Sequence, residues 1–382
     1  MSSSNKQLIP ILDMFRLAAA LLVALVHYEI LIGDFVIYGA FATTALSWFF
    51  VLSGFILAYN YSDLAGAEQH KKYYRHRLIR IYPAYFLAVM VSGLLVSIGY
   101  NFLGEAYFAE VRRPFELSYD LPEAKDNAFW LMAMLRHLTF TQSIGSIETL
   151  NLVFNGPLWS LVLEVYFYLC FPLLIVLVRP INTLTRVIAA LLLGYLLQFL
   201  LILYFLPQAD SYDVMNLNRP VYTNPLIRGL EFIFGMLLYQ AYALLPAPAA
   251  RGKLRLWPVI LACLFYVLTI VVSENFVPYQ FRMYFSAVPA VVLLVWTLAR
   301  TPWYPQGRAR RFCVWCGGMS YVLYCFHWPL MEMIQLWDLL PPSLPFALQL
   351  PLTVGILLLV CHIIYRFIET PVRKYCYRRF DS

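Results

Sequence analysis

The chain has 382 residues, of which 62% are hydrophobic and only 13% charged, whereas a soluble globular protein carries about 25% charged residues. That balance excludes a soluble enzyme and leaves no room for a soluble catalytic domain of ordinary size. The net charge of +7 does not argue for nucleic acid, because the Lys and Arg residues fall in short segments between apolar runs and are not interleaved with a solvated, aromatic-bearing fold.

Apolar runs of about 17–25 residues, long enough to cross a bilayer, recur along nearly the whole length. They predict ten helices, at roughly 11–32, 41–61, 81–103, 157–178, 182–206, 226–246, 256–273, 281–299, 316–338 and 347–368. The expected fold is all-α, a polytopic integral membrane helical bundle forming one membrane domain over residues 1–382. With the N-terminus inside, the cytoplasmic segments hold Lys71, Lys72, Arg75, Arg77 and Arg80; Arg179 and Arg186; Arg251, Lys253 and Arg255; Arg300, Arg308, Arg310 and Arg311; and Arg373, Lys374, Arg378 and Arg379. The short outer loops hold only Arg219. This is the positive-inside asymmetry, and it places both termini in the cytoplasm.

The first run carries Arg16 and His27 at the two ends of "FRLAAALLVALVH". Eleven residues apart on a helix, they share a face about 16 Å apart along the axis. The run is too long for a signal-peptide core and lacks a small-residue cleavage pattern, so it reads as a retained span. Taken singly, Arg16 also suits a snorkelling side chain and His27 an interface histidine. The second span, "WFFVLSGFIL", puts Ser53 and Gly54 at mid-depth, where small residues serve close helix packing or contact a substrate.

The inner segment "KKYYRHRLIRIYPAYF" follows, with Arg77 and Arg80 one turn apart and Arg75 nearby. Such a cluster suits phosphate recognition by charge-assisted forks, or simply fixes topology. Residues 104–156 form a long, mildly acidic outer loop with Glu105, Glu110, Glu116, Asp120, Glu123 and Asp126. Its apolar piece "AFWLMAMLRHLTFTQ" predicts a helix lying in or dipping into the outer interface.

In the fourth span, "NGPLWSLVLEVYFYL", Ser160, Glu164 and Tyr168 recur on one face behind Trp159. Glu164 falls at a depth comparable with His27, where a carboxylate can orient an imidazole or hold its positive charge. A buried structural pairing with Arg228 is the other reading. The sixth span opens with Arg228 and Glu231, three apart and expected to pair. In the ninth, "SYVLYCFHWPL", Ser320, Tyr324 and His327 lie on one stripe. "YRFIETPVRKY" ends the tenth, where Pro371 is expected to stop the helix and Arg366 to pair with Glu369. The seven cysteines are an odd number and fall mostly inside spans, which argues against a disulfide framework; Cys313 and Cys316 form a CxxC without the second pair a metal site wants.

Taken together, "LDMFRLAAALLVALVH", "WFFVLSGFIL", "RHRLIRIYPAYF", "PLWSLVLEVYFYLCFP", "SYVLYCFHWPL" and "YRFIETPVRKY" resemble, in order and topological place, the membrane-bound acyltransferase 3 family. The resemblance runs from the first helix to the tail. It implies an O-acyltransferase, most often an O-acetyltransferase, of the inner (cytoplasmic) membrane. Such an enzyme takes an acyl group from cytoplasmic acyl-CoA and delivers it to a hydroxyl of an extracytoplasmic carbohydrate.

Carried over, Arg16 and His27 match the family's essential arginine and histidine, Arg77 with Arg80 its RxxR motif, and Glu164 the acidic position of its tryptophan-serine motif. His27 and Glu164 are then the catalytic candidates. Arg16, Arg75, Arg77 and Arg80 are the acyl-CoA candidates, and Ser53, Trp159, Ser160, Tyr168, Tyr324 and His327 the candidates for substrate contact. No permanently bound cofactor and no metal are expected. The partners implied are acyl-CoA, a carbohydrate acceptor, the lipid bilayer and possible envelope-biosynthesis proteins. Some relatives carry a hydrolase-like domain after the last helix; here the chain ends about fourteen residues beyond the last span, so such a module is expected to be separate or absent. Two other classes share the intramembrane charges: a proton-coupled transporter, and a non-catalytic partner in polysaccharide assembly.

Overall fold

A computed structural model describes residues 9–32, 39–104, 127–143, 153–206, 219–246, 256–278, 281–341 and 343–380. The acidic residues expected between 105 and 126, and the basic cluster of Arg251, Lys253 and Arg255, lie outside the described residues.

Among the described residues there is no strand. The helices are α1 (Pro10–Ile32), α2 (Gly39–Tyr61), α3 (Ala67–Leu103), α4 (Asn127–Leu138), α5 (Trp159–Val178), α6 (Leu184–Phe205), α7 (Pro225–Leu244), α8 (Trp257–Phe276), α9 (Val288–Ala299), α10 (Gly307–Leu336), α11 (Phe346–Ile364) and α12 (Thr370–Phe380). Among the described residues, seven helical stretches are long and apolar enough to cross a membrane: those of α1, α2, α3, α5, α6 and α8, and the run Phe346–Phe380. The other three expected spans are helical as well, but α7 and α10 carry more polar residues and α9 is short.

Local chemistry sets the helix starts. Pro10, Pro225 and Pro258 occupy first-turn positions, where a missing N–H costs nothing. Asn224 caps α7 by accepting from the amides of Leu226 and Ile227, and Thr183 caps α6 by accepting from Arg186. Two helical runs exceed any bilayer. The 37 residues of α3 span about 55 Å and the 35 residues of Phe346–Phe380 about 52 Å, against a hydrocarbon thickness of about 30 Å.

The helices sort into two compact units whose boundaries fall inside α1, α3, α5 and α10. In the first unit (Met1–Leu22, Gly39–His70 and Tyr166–Gly317), α7 packs on α2 and α6, and α9 packs on α8 and α2. Gly54 and Gly235 bring α2 and α7 together reciprocally. A Cβ on Gly54 would overlap the carbonyl of Phe232, and one on Gly235 the carbonyl of Val51. This is the close packing expected of "LSG" at mid-depth. The expected pair of Arg228 and Glu231 forms at 2.8 Å with both side chains wholly enclosed. Arg228 also donates to Ser47 (3.2 Å) and to the carbonyl of Tyr222 (2.8 Å), and Gln198 donates to Glu231 (3.3 Å). Arg16, Ser53 and Tyr168 belong to this unit, with Ser53 and Tyr168 buried and Arg16 half-buried.

The second unit comprises Val23–Tyr38, Lys71–Val165 and Gly318–Ser382. Here α4 folds back on α3: Ala133 and His137 face Val96 and Phe154, and Tyr85 donates to the carbonyl of His137 at 2.7 Å. Leu131, Met132 and Leu135 stay outside, an apolar face suited to the lipid interface predicted for this segment.

Two expectations for the tail need correction. Pro371 does not stop the helix: the chain passes through a π-helical turn, Tyr365–Glu369, and continues as α12 to Phe380. The wider i→i+5 winding accommodates a proline that lacks the N–H an α-helix would bond to residue 367. That winding also rotates Glu369 away from Arg366, so Glu369 pairs instead with Arg373 (2.7 Å) and Arg80 (3.4 Å), while Arg366 lies exposed over the Phe367 ring.

Candidate functional site

Two histidines meet inside the second unit. His27 lies near the end of α1 and His327 in α10, and His27 Nδ1 stands 2.9 Å from His327 Nε2. Their rings stack with centroids 5.0 Å apart, and Trp328 closes one side edge-on at 5.8 Å from His27. His327 and Trp328 are enclosed, while His27 keeps part of its surface accessible.

The sequence around His327 explains why it is held. Pro329 lies within α10 and cannot donate to the carbonyl of Cys325, four residues back. Asn155 supplies the missing donor, reaching Cys325 O at 3.1 Å and Ser92 Oγ at 3.2 Å. A helix-breaking residue is thereby tolerated beside the histidine. His327 Nδ1 lies 2.8 Å from the carbonyl of Tyr324 and 3.1 Å from that of Leu323. One turn away, Tyr324 donates to the carbonyl of Pro157 at 2.9 Å and shares a short hydrogen bond with Ser160. Trp159, buried, begins α5 beside them in sequence.

The arginine cluster lies on α3 in the same unit. Arg80 is anchored from two sides: by Glu369, which Arg373 also holds, and by the ring of Tyr321, 5.3 Å below its guanidinium. Tyr321 in turn donates to the carbonyl of Ile81 at 2.6 Å. Arg75 and Arg77 are half-buried on the same helix, and His76 packs its ring against Tyr377 of α12 at 5.2 Å. Among the described residues, all seven cysteines are free thiols.

The structure therefore joins His27, expected as the reacting base, to His327, expected at the substrate. It gives the Nδ1 of His27 an imidazole neighbour, where the sequence suggested the carboxylate of Glu164. It joins Ser160 to Tyr324 as neighbours and ties the RxxR motif to the C-terminal motif through Glu369. Sequence reasoning missed Asn155, Trp328 and the Arg80–Glu369 link. A signal for Asn155 existed in Pro329, which demands a donor from elsewhere, but not in which residue supplies it.

A family model, Acyl_transf_3, described as an acyltransferase domain, matches residues 9–366, nearly the whole chain. The chain is 27% identical over 198 residues to "Acyltransferase MdmB" of Streptomyces mycarofaciens, covering 51% of this chain and 45% of that protein. It is 22% identical over 344 residues to "Putative peptidoglycan O-acetyltransferase YrhL" of Bacillus subtilis (strain 168), covering 87% of this chain and 51% of that protein. The chain thus spans about half the length of each of these relatives. No solved structure matches it significantly.

Proposed function

The chain belongs to the acyltransferase 3 family of multi-pass membrane proteins, and on that premise we propose that it is an acyl-CoA-dependent O-acyltransferase. It moves an acyl group, acetyl foremost, to a hydroxyl of an extracytoplasmic envelope carbohydrate. The proposal includes ten spans, both termini in the cytoplasm and residence in the bacterial inner membrane, in keeping with the distribution of Lys and Arg. The observation that carries it is the accessible His27 backed by an enclosed His327. The imidazole with accessible surface exchanges the proton with a reactant, and the second lies against it.

The chemistry needs three things of this chain. Coenzyme A carries phosphates that cannot enter hydrocarbon, so the nucleotide stays with Arg75, Arg77 and Arg80 while the slender pantetheine arm threads inward toward His27; Arg16, eleven residues before His27 on α1, is a further donor candidate. The acceptor hydroxyl approaches from the other side, near Ser160, Tyr324 and the outer loop. His27 then takes the hydroxyl proton as the oxygen attacks the thioester carbonyl. The C–O bond forms, the C–S bond breaks, and the proton passes from His27 to the departing sulfur, giving ester and free coenzyme A thiol.

The test is alkali-labile acetate on the surface polysaccharide of cells expressing the protein, set against cells that lack it. Acetate equal in the two overturns the proposal for acetyl transfer. In purified protein, Arg77→Ala and Arg80→Ala are each expected to weaken acetyl-CoA binding by about tenfold or more, the scale of one charge-assisted phosphate contact. Titration of acetyl-CoA calorimetrically would show it. Unchanged affinity in both variants sinks the nucleotide assignment.

A further inference from the structure

Within the second unit, one buried carboxylate joins two helices from opposite ends of the chain. Glu369 turns a single oxygen to two guanidinium groups: its Oε1 accepts from Arg373 at 2.7 Å and from Arg80 at 3.4 Å. Its other oxygen accepts from the Thr370 hydroxyl at 3.3 Å. Because both ion pairs converge on one atom, Arg80 of α3 and Arg373 of α12 stand side by side. A second contact ties the same helices about one turn further on. The rings of His76 and Tyr377 meet nearly perpendicular at 5.2 Å, and the Tyr377 hydroxyl donates to the His76 carbonyl at 3.5 Å. The tail helix therefore lies along the stretch of α3 that carries Arg75 and Arg77.

The charges at this junction do not balance. Two arginines set against one carboxylate leave a net positive charge, and Lys374 and Arg378 of α12 add to it from exposed positions. The acid is buried at 2%, whereas Arg80 and Arg373 keep 21% and 22% of their side chains exposed. What surface the junction offers thus belongs to the cations. A guanidinium has five N–H donors in a fixed fork, and Arg373 gives one of them to Glu369. Closing a helix turn at i, i+4 accounts for the contact between Glu369 and Arg373. It does not account for a second guanidinium drawn to the same oxygen. Two forks gathered at one point, with positive charge in excess, suit an anion with several oxygens, as a phosphate or pyrophosphate is.

We infer that Arg373 binds phosphate of the acyl donor's nucleotide, so that the donor site is shared between α3 and α12, with Glu369 the positioning residue that sets Arg80 and Arg373 together. This deepens the acyl-CoA reading and rests on it. The local sequence builds the device: the π-helical turn Tyr365–Glu369 carries the chain into Pro371, and Glu369 then meets α3 on one side and Arg373, one turn on, on the other.

Calorimetric titration of acetyl-CoA into the protein in nanodiscs tests it on variants of one ion pair. Arg373→Gln removes the cation and is expected to weaken binding about tenfold, the scale of one charge-assisted phosphate contact. Glu369→Gln keeps an acceptor oxygen for both guanidinium groups and removes the charge that competes with a phosphate, so its affinity is expected to equal or exceed that of wild type. Glu369→Ala keeps no acceptor and is expected to weaken binding about fivefold. If Arg373 only fastens the helix, Arg373→Gln and Glu369→Gln break the same pair and lose affinity alike; that result overturns the inference. Arg373→Gln within twofold of wild type overturns it too, and Glu369→Gln no better than Glu369→Ala overturns the positioning role. Arg77→Ala is the reference. Weakened binding there with Arg373→Gln unchanged removes α12 from the site and leaves the acyl-CoA reading standing, whereas a wild type that does not bind acetyl-CoA removes both.

Discussion

Replacing His27 by alanine is expected to abolish acyl transfer while leaving the donor bound. A positioned general base contributes about 10²–10⁴ to a rate, and His27 is the member of the pair that keeps an accessible surface, so the loss should reach about 10³-fold. Its neighbour His327 cannot take over, because it is enclosed and its Nδ1 is committed to backbone carbonyls. The arginines proposed to hold the donor phosphates are on α3 and α12, different helices, so acetyl-CoA affinity should stay within about twofold of wild type. Transfer in proteoliposomes alongside calorimetric binding makes the comparison. Undiminished transfer in His27→Ala removes the histidine from the chemistry and places the base elsewhere in the chain. Adding radiolabelled acetyl-CoA without an acceptor separates the mechanisms: direct transfer leaves the protein unlabelled, whereas an acyl-histidine intermediate loads about one label per chain.

Breaking the enclosed pair on α7 is expected to have the largest effect on folding. Arg228→Met leaves Glu231 with Gln198 as a neutral donor and no counter-charge, in a place no water reaches. Stranding one member of a buried pair costs about 3–5 kcal/mol, whereas replacing both by apolar residues of similar volume is close to neutral. The single variants Arg228→Met and Glu231→Leu should therefore lose most of their monodisperse, detergent-soluble protein. The double variant should recover it, with a melting temperature within a few degrees of wild type. Single variants as stable as wild type would show that the pair holds nothing together. A double variant as poor as the singles would show that the hydrogen bonds to Ser47 and the Tyr222 carbonyl matter in their own right.

How far the sequence could be read depended on the range of the interaction. Apolar runs located the helices, because the lipid demands length and composition of each helix by itself, but not all of their ends: α3 begins at Ala67 and α10 at Gly307, well before the starts expected near 81 and 316. The Arg228–Glu231 pair was legible for a similar reason, since i and i+3 on one helix are neighbours in any fold. The small residues at Gly54 announced a close approach without naming Gly235 as the other side of it. His27 and His327 are 300 positions apart, and a shared depth in the membrane does not say which of the buried polar groups will touch. The error at Pro371 was of another kind. Proline forbids one α-helical bond, and the chain met that by winding more loosely for a turn instead of stopping. That local change re-paired Glu369, and with it decided what Arg80 is fastened to.

The length of α3 carries one more consequence. A helix of about 55 Å cannot be matched to hydrocarbon of about 30 Å, so nearly half of it stands outside the hydrocarbon. The basic residues from Lys71 to Arg80 fall in its first turns. At physiological ionic strength their field fades over about 8 Å, less than the width of a helix. With these arginines holding the donor as proposed, its capture is expected to follow the salt of the surrounding solution, whereas His327 is enclosed away from it. On that reading the two half-tasks belong to two solvents, and added salt is expected to loosen the hold on the donor more than it slows the bond-making step.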